Sequence, residues 1–278
     1  MVLAPTVAAH GAQIPAIGLG TWKLAGDECV AAIHAALQAG YRHIDTAAMY
    51  ENEAAVGRAL ATGGVKRDEI WVTTKVWRTE WRRDQVLTSA RASLDRLQLS
   101  QVDLLLIHWP DPAMVLEETI DALNEAQALG LARHIGVSNF PPRMLRAAVA
   151  RSGAPLVANQ CEYHPMLDQS AVLAECRAAG AAFVSYSPLG RGELLDDATV
   201  VAIARAHGRT PAQVLLRWHV QQPGVVAIPR SRSPERIAGN LHVFDFELTA
   251  EDMRRLHGLA RKDGRLVDPE TAPRWEDS

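Results

Sequence analysis

An alternation of short β-rich runs with Ala-rich amphipathic segments predicts an α/β fold, a (β/α)8 TIM barrel with a short N-terminal β-hairpin and a C-terminal tail. Eight charge-poor runs recur along the chain. Segments with apolar residues at helical spacing fill the intervals, at roughly 25–30 residues per unit. The doubly wound alternative needs a G-x-G-x-x-G turn after an early strand. Gly18-Leu19-Gly20-Thr21-Trp22-Lys23 starts like one but has Lys at the third glycine position.

Residues 6–15 are too short for a domain and fit a small hairpin closing the barrel bottom. The strand runs then follow: AIGLG at 16–20, RHIDT at 42–46, IWVTTKV at 70–76 and VDLLLIHW at 102–109. HIGVSN at 134–139, LVANQCEY at 156–163, AFVSYS at 182–187 and VVAIPR at 225–230 complete the set. Helical segments are expected at 27–39, 51–61, 84–97, 116–129, 142–150, 169–179 and 198–207. Gly40, Gly130 and Gly180 follow helical segments, as helix C-termini prefer. Asp27, Ser170 and Thr210-Pro211 have the residue types of helix starts, the last with Pro at the first helical position.

The 278 residues read as one domain, 1–278, and α/β barrels often use such a length as a single unit. Lys and Arg number 29 and Asp and Glu 32, a net charge of −3 that argues against nucleic-acid binding. No apolar stretch approaches the ~18 residues of a membrane span. The N-terminus lacks a basic region and is cut by Pro5, His10, Gln13 and Pro15, so it does not read as a signal peptide. Cys29, Cys161 and Cys176 are odd in number and widely spaced, which fits a reduced cytoplasmic protein with no metal motif. A monomer is the default expectation. Seven Trp against four Phe and four Tyr is an unusual balance.

Catalytic groups of a barrel sit at the C-terminal ends of its strands. The second run ends in Asp45, the third in Lys75 and the fourth in His108, and Tyr50 follows five residues after Asp45. Strand alternation points Ile44, Thr74 and Ile107 the other way. Taken singly, each polar residue has an ordinary reading as a cap, a solvated cation, a satisfied core histidine or a packed loop aromatic. Together on one rim they favour chemistry. A phenol with a pKa of about 10 is too weak an acid near neutral pH unless an ammonium stands beside it. A carboxylate keeps that ammonium charged, and a neutral imidazole can orient a carbonyl. Such a set can protonate a carbonyl oxygen, but it holds no hydride, so a reductase needs a bound cofactor.

These residues resemble the aldo-keto reductase family. The matching segments are GLGTWK (18–23), GYRHIDTAAMYENE (40–53), TTKVW (73–77), VDLLLIHWP (102–110), IGVSNF (135–140), NQCEYHP (159–165), SYSPLGRG (185–192), IPRS (228–231) and ERIAGNLHVFDFELT (235–249). The chain looks most like the prokaryotic 2,5-diketo-gluconate reductase type. The resemblance implies a barrel that uses NADPH without a Rossmann domain and reduces small-molecule carbonyls to alcohols. Tyr50 would give the proton, Lys75 paired with Asp45 would lower its pKa, and His108 would orient the carbonyl. An alternative within the resemblance is a cofactor-binding sensor or auxiliary subunit with little turnover.

The resemblance also implies a cofactor path. Ser138, Asn139 and Gln160 would hold the carboxamide, with Tyr186 stacked on the nicotinamide. Ser187, Leu189 and Gly190 would line the pyrophosphate side, and Ile228 would also contact the cofactor. Arg230, Ser231, Arg232 and Arg236 would surround the adenosine 2′-phosphate, and Asn240 would meet the adenine. Arginine's planar fork suits phosphate, which favours NADPH over NADH. Two positions depart from the family. Arg230 stands where Lys is usual, and Gly239 replaces a Glu often found before the adenine-contacting Asn. Both predict weaker adenine contacts and a relaxed cofactor preference. Trp22, Trp77, Trp109, Phe140 and His108 would wall the substrate pocket, with Met49 and Trp81 nearby. Trp71, Trp218 and Trp275 are left as packing residues.

Overall fold

The structure, a computed structural model, describes residues 4–275. Thr6–Ala9 (β1) and Ala12–Pro15 (β2) pair antiparallel, with Thr6 opposite Pro15. His10 and Gly11 turn the corner with φ of 46° and 84°, the two positive values that a tight hairpin turn requires.

Among the described residues, eight parallel strands then follow in chain order. They are Leu19–Gly20 (β3), His43–Asp45 (β4), Trp71–Val76 (β5), Val102–Ile107 (β6), Ala132–Ser138 (β7), Leu156–Glu162 (β8), Ala182–Tyr186 (β9) and Val225–Ala227 (β10). Ile17 bridges Ala227 in parallel, and the Gly18 amide donates to the Ala227 carbonyl at 2.9 Å, which joins the first strand to the last. The predicted run 225–230 stops as a strand at Ala227. Pro229 beyond it has no amide proton to give a ladder.

The helices are Gly26–Ala39 (α1), Glu53–Thr62 (α2), Arg83–Leu97 (α3), Leu116–Ala128 (α4), Pro142–Arg151 (α5), Ser170–Ala178 (α6) and Ala198–Ala206 (α7). Pro211–Val220 (α8), Pro234–Leu241 (α9) and Ala250–His257 (α10) complete them. Thr210 caps α8 reciprocally with Gln213, as its sequence promised. Asp27 is not the cap of α1. That position is Ala25, and Asp27 sits in the first turn, where a carboxylate meets the positive helix end.

Strand alternation builds two cores. Outward residues such as Ile44, Val72, Ile107 and Val137 pack against Ile33, Leu94, Ile120 and Leu123 of the helices. Inward residues Trp71, Leu104, Leu106, Ala158, Val184 and Val226 fill the barrel, and Ala12 and Ile14 of the hairpin join them. The inward positions turn polar at the upper end of this column, where Asp45, Lys75, Ser138 and Gln160 are all buried.

Below Asp45 lies His43, buried with Thr73 Oγ1 3.3 Å from its Nε2. Burial pulls this imidazole down to about 4 from the ordinary 6.5, although Asp45 pulls the other way. The unfolded chain takes up this proton on acidification before the folded one does. The neutral ring therefore stabilises the fold above pH 6.5, and that contribution is lost as pH falls toward about 4. Replacing His43 with Gln should flatten the fall in unfolding free energy over this window by up to about 1.4 kcal/mol per pH unit. Denaturant melts at several pH values check it, and equal slopes in the two proteins would refute a buried neutral ring.

Candidate active site

Asp45 closes β4 and Lys75 lies one residue before the end of β5, so both side chains enter the barrel mouth. The Lys75 ammonium is buried and uses its three protons on Asp45 Oδ1 at 2.5 Å, the Thr46 carbonyl at 2.8 Å and the Tyr50 hydroxyl at 3.5 Å. Burial works to neutralise this lysine, but Asp45 and Tyr50 outweigh it and hold its pKa above the ordinary value. Tyr50 ends a single turn, Ala48–Tyr50, that follows β4. Its oxygen accepts from Lys75, which leaves its own proton free of that contact. Burial lifts the phenol above its ordinary pKa, and the ammonium only partly offsets this. The expected lowering by Lys75 is therefore present but smaller than the effect of burial. Tyr50 stays protonated at neutral pH.

His108 follows β6. Its ring meets Tyr50 edge-on at 5.5 Å and Trp77 at 5.2 Å. Burial, and secondarily the Lys75 charge, hold it well below the ordinary imidazole pKa, so it is neutral. Its Nδ1 is buried without a partner among the described residues. The backbone carbonyl of His108 accepts from Asn139 Nδ2 at 2.9 Å.

Behind the four lies an amide network. Gln160 Nε2 donates to Asp45 Oδ2 at 2.7 Å, and Ser138 Oγ donates to the Gln160 carbonyl at 2.7 Å. Asn139 Nδ2 also donates to Ser138 Oγ at 3.0 Å, and the Tyr186 hydroxyl donates to Asn139 Oδ1 at 2.9 Å. Ser138 and Asn139 are sealed behind the surface, while Gln160 and Tyr186 line a cleft of about 470 Å³.

The same cleft is lined by Asp45, Tyr50, His108, Trp22, Trp109 and Met49 at one end. Ser187, Leu189, Ile228, Arg230 and Arg236 line its length. Trp22 is held near Tyr50, their rings 4.9 Å apart, because Asn52 ties its loop through the Thr21 and Leu24 carbonyls at 2.9 Å each. Other expected contacts lie off the cleft. Phe140 is fully buried in the outer core, since its side chain joins the strand–helix layer, and it walls nothing. Trp77 packs on His108 instead of lining the cleft, and Trp81 is half-buried outside it. Gly190 is buried against Met166 and Leu194. Arg232 is committed to Glu28 at 3.1 Å and the Lys23 carbonyl at 3.2 Å, so its charge is already paired. Ser231 Oγ serves its own turn by accepting from the Ser233 amide. Asn240 is buried on α9, and Gly239 has nothing within 4 Å of where a side chain would begin.

Lys23, Arg191 and Val267, not among the residues expected at the site, also line the cleft. Arg191 sits in a loop with φ of 54°, in the left-handed region where a non-glycine residue invites inspection. Val267 arrives from the tail, which Glu162 of β8 holds. Buried Glu162 accepts from the Leu266 amide at 2.8 Å, the Val267 amide at 2.9 Å and His164 Nε2 at 2.9 Å. Gly264 passes so close to the Met166 carbonyl that a Cβ would stand 1.8 Å from it. Trp275 meets Trp109 edge-on at 6.5 Å, and the Arg265 guanidinium lies 3.7 Å over the Trp275 ring. Trp275 therefore packs, as expected, but against the pocket wall. Among the described residues no His, Cys, Asp and Glu group could hold a metal ion, and no helix is long and apolar enough to cross a membrane.

A model of the Aldo/keto reductase family matches residues 16–261. An aldo-keto reductase of Mycolicibacterium smegmatis is 44% identical over 262 residues, 94% of this chain and 95% of that protein. Among solved structures, a provisionally assigned 2,5-diketo-D-gluconic acid reductase B superposes with a TM-score of 0.96 at 41% identity, covering 99% of this chain and 98% of its own. A Bombyx mori aldo-keto reductase in complex with NADP superposes with a TM-score of 0.89 at 37% identity, over 96% of both chains.

Glu162→Gln would turn an amide nitrogen toward groups that themselves donate. The variant should lose about 1–3 kcal/mol of local stability and exchange its Leu266 and Val267 amide protons faster. Hydrogen exchange of the tail measures this, and unchanged protection there would remove Glu162 as its fastening.

Proposed function

The chain belongs to the aldo/keto reductase family of NAD(P)-dependent oxidoreductases, and we propose that it reduces small carbonyl compounds with NADPH, Tyr50 giving the proton. The observation that carries this reading is the placement of Tyr50. Its hydroxyl oxygen accepts a hydrogen bond from the Lys75 ammonium, so its own hydrogen can face the cleft beside neutral His108. A carbonyl oxygen held between the phenol and the imidazole would find two donors. As charge builds on that oxygen, Tyr50 transfers its proton. The adjacent ammonium then stabilises the phenolate, an interaction stronger in the transition state than before it. Asp45 keeps the ammonium charged throughout. Trp22 and Trp109 offer apolar walls to the rest of the substrate.

The cleft's charge fits a dinucleotide. Lys23, Arg191, Arg230 and Arg236 all line it, and among the described residues none has a carboxylate partner. Unpaired cations gathered in one cleft of a chain with net charge −3 suit phosphate groups. Bound NADPH would supply the hydride. On this reading Gln160 and Tyr186 would meet its nicotinamide end, and Arg230 and Arg236 its 2′-phosphate. Arg232, paired to Glu28, contributes less than the sequence implied. Aldehydes, α-dicarbonyls and keto-sugar acids are the proposed substrates. The last class is supported by the likeness to a 2,5-diketo-D-gluconic acid reductase B. Three buried free thiols suit a reducing cytoplasm.

Purified protein should oxidise NADPH in the presence of methylglyoxal or an aromatic aldehyde. Tyr50→Phe should lower kcat by about 10²–10⁴-fold with little change in cofactor affinity. Full turnover in that variant would end the proposed mechanism. Binding of NADPH without turnover over a broad carbonyl panel would favour a sensor instead.

Cofactor choice has its own test. Tryptophan quenching should give a lower dissociation constant for NADPH than for NADH, and Arg236→Ala should narrow the ratio by about tenfold. Tighter binding of NADH by the unaltered chain would refute the 2′-phosphate assignment.

A further inference from the structure

We propose that Gln160 is a positioning residue for proton transfer: from the opposite wall of the barrel, its side-chain amide holds Asp45, and through Asp45 it holds the Lys75 ammonium against Tyr50. This rests on the reading of Tyr50 as the proton donor. It goes beyond the carboxamide contact that family resemblance assigns to Gln160.

In the strand order, three strands separate β8 from β4 by way of β7, β6 and β5. The closing bridge makes the other way round equally long, through β9, β10 and β3. The two strands therefore face each other across the axis, and the amide spans the barrel. Asp45 is buried, and its carboxylate has two side-chain partners among the described residues. Lys75 holds Oδ1 and Gln160 holds Oδ2. Chemistry fixes the polarity of the amide, because turning it over would set Oε1 against a carboxylate oxygen with no proton between them. The backbone under Gln160 is itself pinned, its carbonyl accepting from Ser138 Oγ at 2.7 Å and the Asn139 amide at 2.9 Å.

Without Gln160, Oδ2 would be an unpaired charged oxygen in a buried site. The carboxylate would rotate to offer both oxygens to Lys75, the one cation it touches. Of the three contacts made by the ammonium, that with Tyr50 is the longest at 3.5 Å, against 2.5 Å and 2.8 Å for the others. A pull toward Asp45 breaks it first. The damage then falls on the proton step and not on cofactor binding. The Gln160 Oε1 accepts nothing from the described residues, and Gln160 lines the cleft, so this second end remains available to a carboxamide N–H.

The two ends can be separated by substitution in the full chain. Gln160→Glu keeps an acceptor for a carboxamide but removes the donor to Asp45, and Gln160→Met removes both. Gln160→Glu should leave the NADPH dissociation constant, read by tryptophan quenching, within about threefold, while kcat at saturating cofactor falls about 10- to 100-fold. Relative to the unaltered chain, this variant should recover on acidification, because the protonated carboxyl can again donate to Asp45. Gln160→Met should show no such recovery. In an Asp45→Asn background, Gln160→Met should change kcat by less than about threefold, since the group it acts through is already altered.

Either of two results overturns the proposal. One is normal kcat with weakened NADPH binding in both single variants, which would leave Gln160 as a cofactor ligand alone. The other is a full additive loss in the double variant. Circular dichroism and thermal melts confirm that each variant folds, and Gln160→Glu, nearly isosteric, carries the test if Gln160→Met does not. Tyr50→Phe runs in the same assay. If it stays active, the donor reading fails; if it is inactive, the outcome bears on Gln160 alone.

Discussion

Lys75 places an ammonium where no water reaches it. Removing such an ion from water costs several kcal/mol, which only close, well-directed acceptors offset. The upper layer of the barrel is organised around that demand. Asp45, the Thr46 carbonyl and the Tyr50 hydroxyl accept its hydrogen bonds. Asp45 in turn needs a donor for its second oxygen and finds Gln160. Gln160 is anchored by Ser138, Ser138 is bonded by Asn139, and Asn139 is bonded by Tyr186. The chain of contacts thus runs from strand β4 to strand β9 with each polar atom answering the last. A network of this kind is rigid because any member that moves strands a buried charge or dipole.

Charge is handled in opposite ways at the two depths of the cleft. Deep inside, cation and anion are matched and the nearby His43 and His108 are neutral. Along its outer length, Lys23, Arg191, Arg230 and Arg236 have no acidic partners among the described residues. An unpaired cation costs little while water can reach it, and it becomes favourable when an anion displaces that water. The inner pair costs a great deal to separate and so is built permanently. On the proposed function, this division would let one cleft be preorganised for proton transfer and still depend on a charged ligand for completion.

Much of this was readable in the chain because strands alternate. Asp45, Lys75 and His108 ended apolar runs, and alternation put them on one rim. The same periodicity placed Ile44 and Ile107 in the outer core. What it could not give were contacts between distant segments. Gln160 lies 115 residues from Asp45, and nothing local marks it as Asp45's partner. Nothing local marks Glu162 as the holder of the tail either, because the amides it binds lie beyond residue 265. Phe140 was misplaced for a related reason. Its position after β7 fitted a rim residue, but Asn159 binds its backbone carbonyl at 2.9 Å and the ring turns into the outer core. Arg191 gave no periodic signal because it stands in a turn with positive φ, outside any repeating element.

Strand β8 links the two ends of the site. Gln160 and Glu162 are two residues apart, so alternation sends both side chains to the same face. The first reaches across the barrel to Asp45, and the second holds the backbone of the tail. The tail brings Val267 into the cleft and Trp275 against Trp109. Substrate walls supplied by a chain terminus would ordinarily be loose, since terminal segments have few partners. Here the fastening is a buried carboxylate on a barrel strand whose other inward polar residue, Gln160, is bonded to Asp45. On the proposed function, a carbonyl compound against the tail would meet a wall held by the same strand that holds Asp45. Both the tail and the Asp45–Lys75 pair beside Tyr50 are thereby tied to β8. That is the condition for reactant positioning, where an error of about 1 Å costs on the order of 10²-fold in rate.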